Sequence, residues 1–456
     1  MRRLKRRNVE AWDEPSKQAN NLTLNRSTLH RSTVPSLALL HASQLVTLTG
    51  PPRARRGEEL SELAIIPGGA FVASGGKITH VGKSTEIEKL CDAETEVINA
   101  SGCVVLPGFI DAHTHLVFAG SRLDDYEARA RGETYEQIAK RGGGIQTTVK
   151  ATRAASEDEL FALAKKRASW FLQNGTTMVE AKSGYGLTLE DELKILRVIQ
   201  RIGKETPLET VPTFLGAHAF PPEFREDHGS YISLIIGEML PRIAREKVAE
   251  YCDIFCERDY FDVNEARRIL TAAKQHGLKL RMHVDQLTNG GGARLAAELG
   301  AATADHLEQT AADGINALAK ANIQPVLLPG SAYALGSKKY PDARAMIDAG
   351  LAVVLATDFN PGSSPGPSMP MMLSLAVTQM RMSPAEAIAA ATINAAASLN
   401  KVGETGSLEV GKLANFAICD CEDYRELAYW FGVSLVRDVF VRGVSISSSG
   451  GFQTAK

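Results

Sequence analysis

The chain has 456 residues, more than one ordinary core accommodates, so a large domain with a smaller companion is expected. Its 51 Lys and Arg nearly balance 53 Asp and Glu, and the formal net charge of -2 offers no bulk attraction to nucleic acid or an anionic membrane. Apolar runs are broken by Gly, Pro or charge well short of the roughly 18 residues a membrane helix needs, so no span is expected.

Residues 1–35 open with Arg2, Arg3, Lys5, Arg6 and Arg7, but no apolar stretch follows to make a secretory signal, so a disordered basic tail is expected. Short β runs separated by glycine turns fill 36–106. Similar runs return over 403–447, so one small β-sandwich domain is expected to be built from both chain ends. Between them, 107–402 alternates apolar strands with amphipathic helical stretches, the pattern of βα units around a parallel sheet. Eight strands are expected, near 109–118, 176–181, 209–214, 251–255, 279–283, 301–306, 324–328 and 352–357. The fold class is therefore α/β, a (β/α)8 TIM-like barrel. An open doubly wound sheet is the rival, but no G-x-G-x-x-G follows a first strand. Gly142, Gly143 and Gly144 are too little for a phosphate cradle and read as a mobile loop. The six cysteines, Cys91, Cys103, Cys252, Cys256, Cys419 and Cys421, complete no zinc cluster and read as reduced, strand-buried thiols of a cytoplasmic protein.

Chemistry concentrates where the expected strands end, which in such barrels is where active sites lie. His113 and His115 stand two apart on a strand-like run, a spacing that puts both imidazoles on one face. Alone this is a moderate signal. His283, His306 and Asp358 join it, each closing an apolar run. A metal held by His113, His115, His283 and Asp358 would lower the pKa of its water from 15.7 towards about 7, which points to hydrolysis. Asp358 then suits proton transfer to a leaving nitrogen, and His306 suits polarising a carbonyl or acting as a partner of a ligand. Arg122, Tyr185 and His218 lie in three successive βα loops. A guanidinium with Tyr and His beside it suits a substrate carboxylate. The turn-rich run from Asn360 through Gly362 and Ser363 offers backbone amides and a hydroxyl to a polar substrate tail, or is only a tight loop.

The segments 107–122 (PGFIDAHTHLVFAGSR), 179–187 (VEAKSGYGL), 213–219 (TFLGAHA) and 356–365 (ATDFNPGSSP) together resemble the amidohydrolase superfamily, and within it the imidazolonepropionase family, from about residue 40 to about 445. The resemblance implies one Zn2+ or Fe ion per chain, with His113, His115, His283 and Asp358 as ligands. It implies substrate contacts from Arg122, Tyr185, His218, Asn360, Gly362 and Ser363, and hydrolysis of the ring amide of 4-imidazolone-5-propanoate to N-formimidoyl-L-glutamate in L-histidine degradation. One departure stands out: Gln286 occupies a position where the family pattern often has Glu. An amide cannot act as a base, so Gln286 is assigned to substrate binding and the proton to Asp358, with His306 assisting. The alternatives are another cyclic-amide or amidine hydrolase or deaminase, which has no evident need for Arg122, or a non-catalytic metal-binding scaffold. No nucleic-acid or membrane partner is expected, and a homodimer rests on the resemblance alone.

Overall fold

The computed structural model describes residues 36–446, apart from 135–136 and 139–141. The expected basic tail and residue 447 lie outside the described residues.

The first unit is a mixed sheet. Its leading strands are β1 (Leu37–Val46), β2 (Ile65–Ser74), β3 (Lys77–Lys83), β4 (Glu96–Asn99) and β5 (Val104–Pro107). Gly75 and Gly76, both at positive φ, make the two-residue turn that joins β2 to β3, where Ser74 pairs with Lys77. The chain then runs through β6 (Phe109–Thr114), β7 (Thr176–Lys182), β8 (Glu209–Ala217), β9 (Tyr251–Cys256), β10 (Lys279–Val284), β11 (Thr303–His306), β12 (Gln324–Leu327) and β13 (Val354–Leu355). It returns to the first sheet as β14 (Phe416–Cys419), β15 (Val436–Val441) and β16 (Val444–Ser445). The order there is β16-β15-β14-β5-β1-β2-β3, with β4 beside β1. Strand alternation buries both faces of β1: Leu37 and Leu39 enter one apolar cluster, Ala38 and Leu40 another. Phe416 ties the two chain ends, meeting the Phe71 ring edge-on at 5.0 Å and stacking on Phe440 at 4.4 Å.

Strands β6 to β13 are parallel and adjacent in chain order, one from each of the eight expected runs. The last is only two residues long. Beyond it the edge is completed by Asp358 N donating to His113 O at 3.1 Å and His115 N donating to Phe359 O at 2.8 Å. These bonds tie the last strand to the first and bring the barrel round on itself. Helices pack outside. That of Leu189–Glu205 starts with the Thr188 hydroxyl accepting from Asp191 N and buries Leu193, Ile195, Leu196, Val198, Ile199 and Ile202. Each such side chain contributes roughly 1.5–3 kcal/mol of burial. Ile110, Met178, Val211, Tyr251, Val326 and Val354, one from each of six strands, pack together as an apolar cluster inside the barrel. Charged and polar side chains occupy the levels above. Among the described residues no helix is long and apolar enough to cross a membrane.

Candidate active site

Barrel closure positions the first two ligand candidates. Asp111 Oδ2 accepts from the Thr357 hydroxyl at 2.5 Å and Oδ1 from Thr357 N at 3.1 Å, clamping the end of β13 against β6. The next residue, Asp358, is held at φ 54°, a left-handed conformation that few residues other than glycine adopt and that Asp tolerates better than most. Its Oδ1 lies 3.6 Å from both His113 Nε2 and His115 Nε2. Two tetrahedral ligands on one ion with bonds near 2.0–2.1 Å would stand roughly 3.4 Å apart.

The other imidazoles converge on the same point. Ligand atoms of His113, His283 and His306 lie within 4.8 Å of one another, as do those of His113, His115 and Asp358. His113 Nδ1 is 2.7 Å from Asp305 Oδ2, and His283 Nδ1 is 3.1 Å from Asp253 Oδ1. A carboxylate at Nδ1 fixes the proton there and leaves the lone pair on Nε2. Both Nε2 atoms are buried without a hydrogen-bond partner, a costly condition unless something else takes the lone pairs. Burial first, with neighbouring cationic groups, holds His113 and His115 well below the usual imidazole range, and burial pushes His283 down to about 4. The three are neutral, as metal binding requires, so the donor set fits a cation. His306, at φ 81°, has Nδ1 3.4 Å from Glu308 Oε1.

A pocket opens above this cluster and is lined by Arg122, Tyr185, His218, Gln286, Asn360, Gly362 and Ser363, together with His115, His283, His306 and Asp358. Every sequence-predicted site residue except the deeper His113 is on its wall. Arg122 is buried; its Nε donates to Asp125 Oδ2, Nη1 reaches the Thr148 hydroxyl at 3.5 Å, and Nη2 has no partner. His218 donates from Nδ1 to Gly184 O at 3.0 Å, since a carbonyl can only accept, which leaves Nε2 as an acceptor. Burial lowers its pKa to about 4, so the ring is neutral. It stacks on His115 at 5.0 Å. Gln286 donates from Nε2 to the Ser331 hydroxyl at 3.3 Å.

The 360–363 loop closes on itself. The amides of Gly362 and Ser363 donate to Asn360 Oδ1 at 2.8 and 2.7 Å, while Asn360 Nδ2 donates to Asp358 O at 2.7 Å. An Asx-type turn satisfies its own backbone. Within the glycine triplet, Gly144 N donates to Asp125 Oδ2 at 3.0 Å, and a Cβ on Gly143 would meet Asp125 Oδ1 at 2.7 Å.

Residues 104–446 match the profile of the Amidohydrolase family. A relative from Solibacter usitatus named imidazolonepropionase is 57% identical over 406 residues, covering 89% of this chain and 97% of its own. One from Symbiobacterium thermophilum with the same name is 46% identical, covering 91% and 98%. The chain belongs to the imidazolonepropionase branch of the amidohydrolase family. Among solved structures, a zinc-bound adenosine deaminase from Xanthomonas campestris superposes with a TM-score of 0.66 at 17% identity, covering 90% of this chain and 92% of its own. Guanine deaminase of E. coli gives 0.66 at 14%, covering 91% and 100%. At such identities these two speak for the fold alone. The family is metal-dependent, and the histidine cluster of this amidohydrolase is able to bind a metal.

Beneath the cluster lies a buried charge layer that the sequence reading missed. Lys182 Nζ is 2.9 Å from Glu180 Oε1 and 2.8 Å from Asp253 Oδ2, and Arg281 Nη2 is 3.4 Å from Asp305 Oδ2 and donates to Ala112 O at 2.8 Å. All five side chains are fully buried. Burial disfavours the charge on Asp253, yet His283 and Lys182 hold it well below the carboxylate range. Three carboxylates thus face two cations beneath the imidazoles, and burial, the largest influence on Asp305, raises its pKa. A signal was present: Asp111 and His113, Glu180 and Lys182, and Arg281 and His283 are each two apart, so in a buried strand each pair shares one face. Glu192 and Asp125, which brace the loops of Tyr185 and Arg122, were missed too.

Proposed function

We propose that this chain hydrolyses the ring amide of 4-imidazolone-5-propanoate to N-formimidoyl-L-glutamate, a step in L-histidine degradation. The observation that carries the reading is one pocket holding both converging imidazole lone pairs and a buried guanidinium with an unpartnered Nη2. The substrate has a cyclic amide for the first and a propanoate for the second.

In this reading His113, His115, His283 and Asp358 hold one Zn2+ or Fe ion per chain. When bound, the ion supplies a water acidified for attack on the amide carbon. Asp305 and Asp253 keep His113 and His283 in the tautomer that ligation needs. Arg122 takes the propanoate carboxylate through Nη1 and Nη2, its Nε being committed to Asp125. Tyr185 and His218 orient the ring, with His218 Nε2 accepting from a ring N–H. Gln286 hydrogen-bonds the ring and moves no proton. Asp358, raised to about 6 by burial, accepts the proton of the attacking water and returns it to the leaving ring nitrogen. Burial opposes the charge on His306, but Glu308 raises its pKa, so Nε2–H is available to the developing oxyanion. Residues 36–106 and 403–446 form a composite domain tying both ends of the 107–402 barrel. The unpaired state of all six cysteines suits a reducing cytoplasm.

Ultraviolet loss of imidazolonepropanoate, freshly generated from urocanate, tests this with protein before and after chelation and metal return. Metal-dependent ring opening without ammonia is the expected result. Ammonia release would turn the assignment towards a deaminase, and a folded, metal-loaded sample without turnover would leave a scaffold.

A further inference from the structure

The helix Leu189–Glu205 carries a carboxylate that the reaction does not use. Glu192 is fully buried, and its oxygens accept from Gly184 N at 2.9 Å, Gly186 N at 2.8 Å and Leu187 N at 2.7 Å. All three donors belong to the loop after β7 that presents Tyr185. Burying a carboxylate is expensive, and only charge-assisted bonds of this kind offset it. The loop in turn governs a second wall of the pocket. Gly184, at φ 104°, accepts from His218 Nδ1 through its carbonyl, and a Cβ there would lie 2.9 Å from that same Nδ1. The carboxylate, the glycine backbone and the imidazole therefore form one chain of contacts running from a helix of the outer layer to the pocket.

We propose that Glu192 is a positioning residue for substrate recognition: by gathering the loop amides it sets the place of Tyr185 and, through the Gly184 carbonyl, fixes the orientation and Nδ1–H tautomer of His218. The inference rests on Tyr185 and His218 as substrate contacts. It explains why the Ser183-Gly184-Tyr185-Gly186 run needs both glycines, since a Cβ on Gly186 would come 2.6 Å from the Asp191 carbonyl carbon. In Glu192→Gln an amide group replaces one acceptor oxygen and meets backbone donors with a donor.

The test measures kcat, KM, metal content and melting temperature of Glu192→Gln in the full chain, with the His218 tautomer read by nitrogen-15 NMR and assigned against His218→Gln. The expected result is a KM about ten-fold higher with kcat within about two-fold and metal content unchanged, because contacts made equally in ground and transition states are lost. The Nδ1–H form of His218 should give way to a mixture. Unchanged KM with His218 still in one tautomer would overturn the proposal. So would a loss of activity wholly accounted for by a smaller folded fraction. Should Glu192→Gln fail to fold, Glu192→Asp, which keeps the charge but draws it back by one methylene, is read in the same way. If the wild type itself shows no turnover the assigned reaction fails, while the tautomer comparison still judges the role of Glu192.

Discussion

His113 and His283 sit on strands and are held by carboxylates projecting from other strands of the barrel, whereas Arg122, Tyr185, His218 and Asn360 sit beyond strand ends and are held through loop backbone or by a helix carboxylate. The strand-borne set inherits its geometry from β pairing, which cannot shift without moving a whole strand. The loop-borne set depends on individual bonds from Asp125, Glu192 and Asn360, each replaceable without disturbing the barrel. Under the proposed function, ligation by the strand histidines rests on the rigid layer, and substrate choice on the adjustable one.

The sharpest way to break this contrast is Lys182→Met. It leaves Glu180 and Asp253 buried without their cation, and the metal-free protein should lose about 3–5 kcal/mol in urea unfolding. Unchanged stability would mean the charge layer is not coupled. Arg122→Ala should leave folding intact but raise KM by about thirty-fold or more, since a buried ionic hydrogen bond costs 2 kcal/mol or more to truncate; unchanged kinetics would remove Arg122 from the site. Asp253→Asn should lower metal affinity by about 10–100-fold, read by competition with a chelator, with little change in KM once metal is saturating. An equal effect from Asn360→Ala would erase the distinction between the two layers. Smallest per unit of the variable changed is a pH slope. Burial raises Asp111 to about 7, above its unfolded value, so its stabilising contribution is full below about pH 4 and lost as pH rises through about 7. Against metal-free wild type, Asp111→Asn should remove a slope of up to about 1.4 kcal/mol per pH unit in that window. Identical pH profiles would show Asp111 ionised throughout.

Much of the barrel is legible in the sequence because its strands are apolar runs that end in a chemically distinctive residue. The last is legible only as a run: β13 has two residues, and the closing bonds fall beyond it at Asp358 and Phe359. The proposed ligand residues, which the structure brings together, are legible by type. Their partners are not, because Asp305 lies 192 residues from His113, and that pairing follows only from strand order around the closed barrel. For the 360–363 loop two readings stayed open because sequence shows turn formers without showing which acceptor their amides find. Asn360 Oδ1 is that acceptor.

The clamp between Asp111 and Thr357 spans 246 positions. During synthesis Asp111 leaves the ribosome long before Thr357 exists, so a nascent chain carries one half of the clamp that no local folding can complete. At about 5–20 residues per second the wait lasts on the order of tens of seconds. Barrel closure therefore waits for the end of the barrel segment, and a fragment ending before residue 357 should leave the β6 edge open.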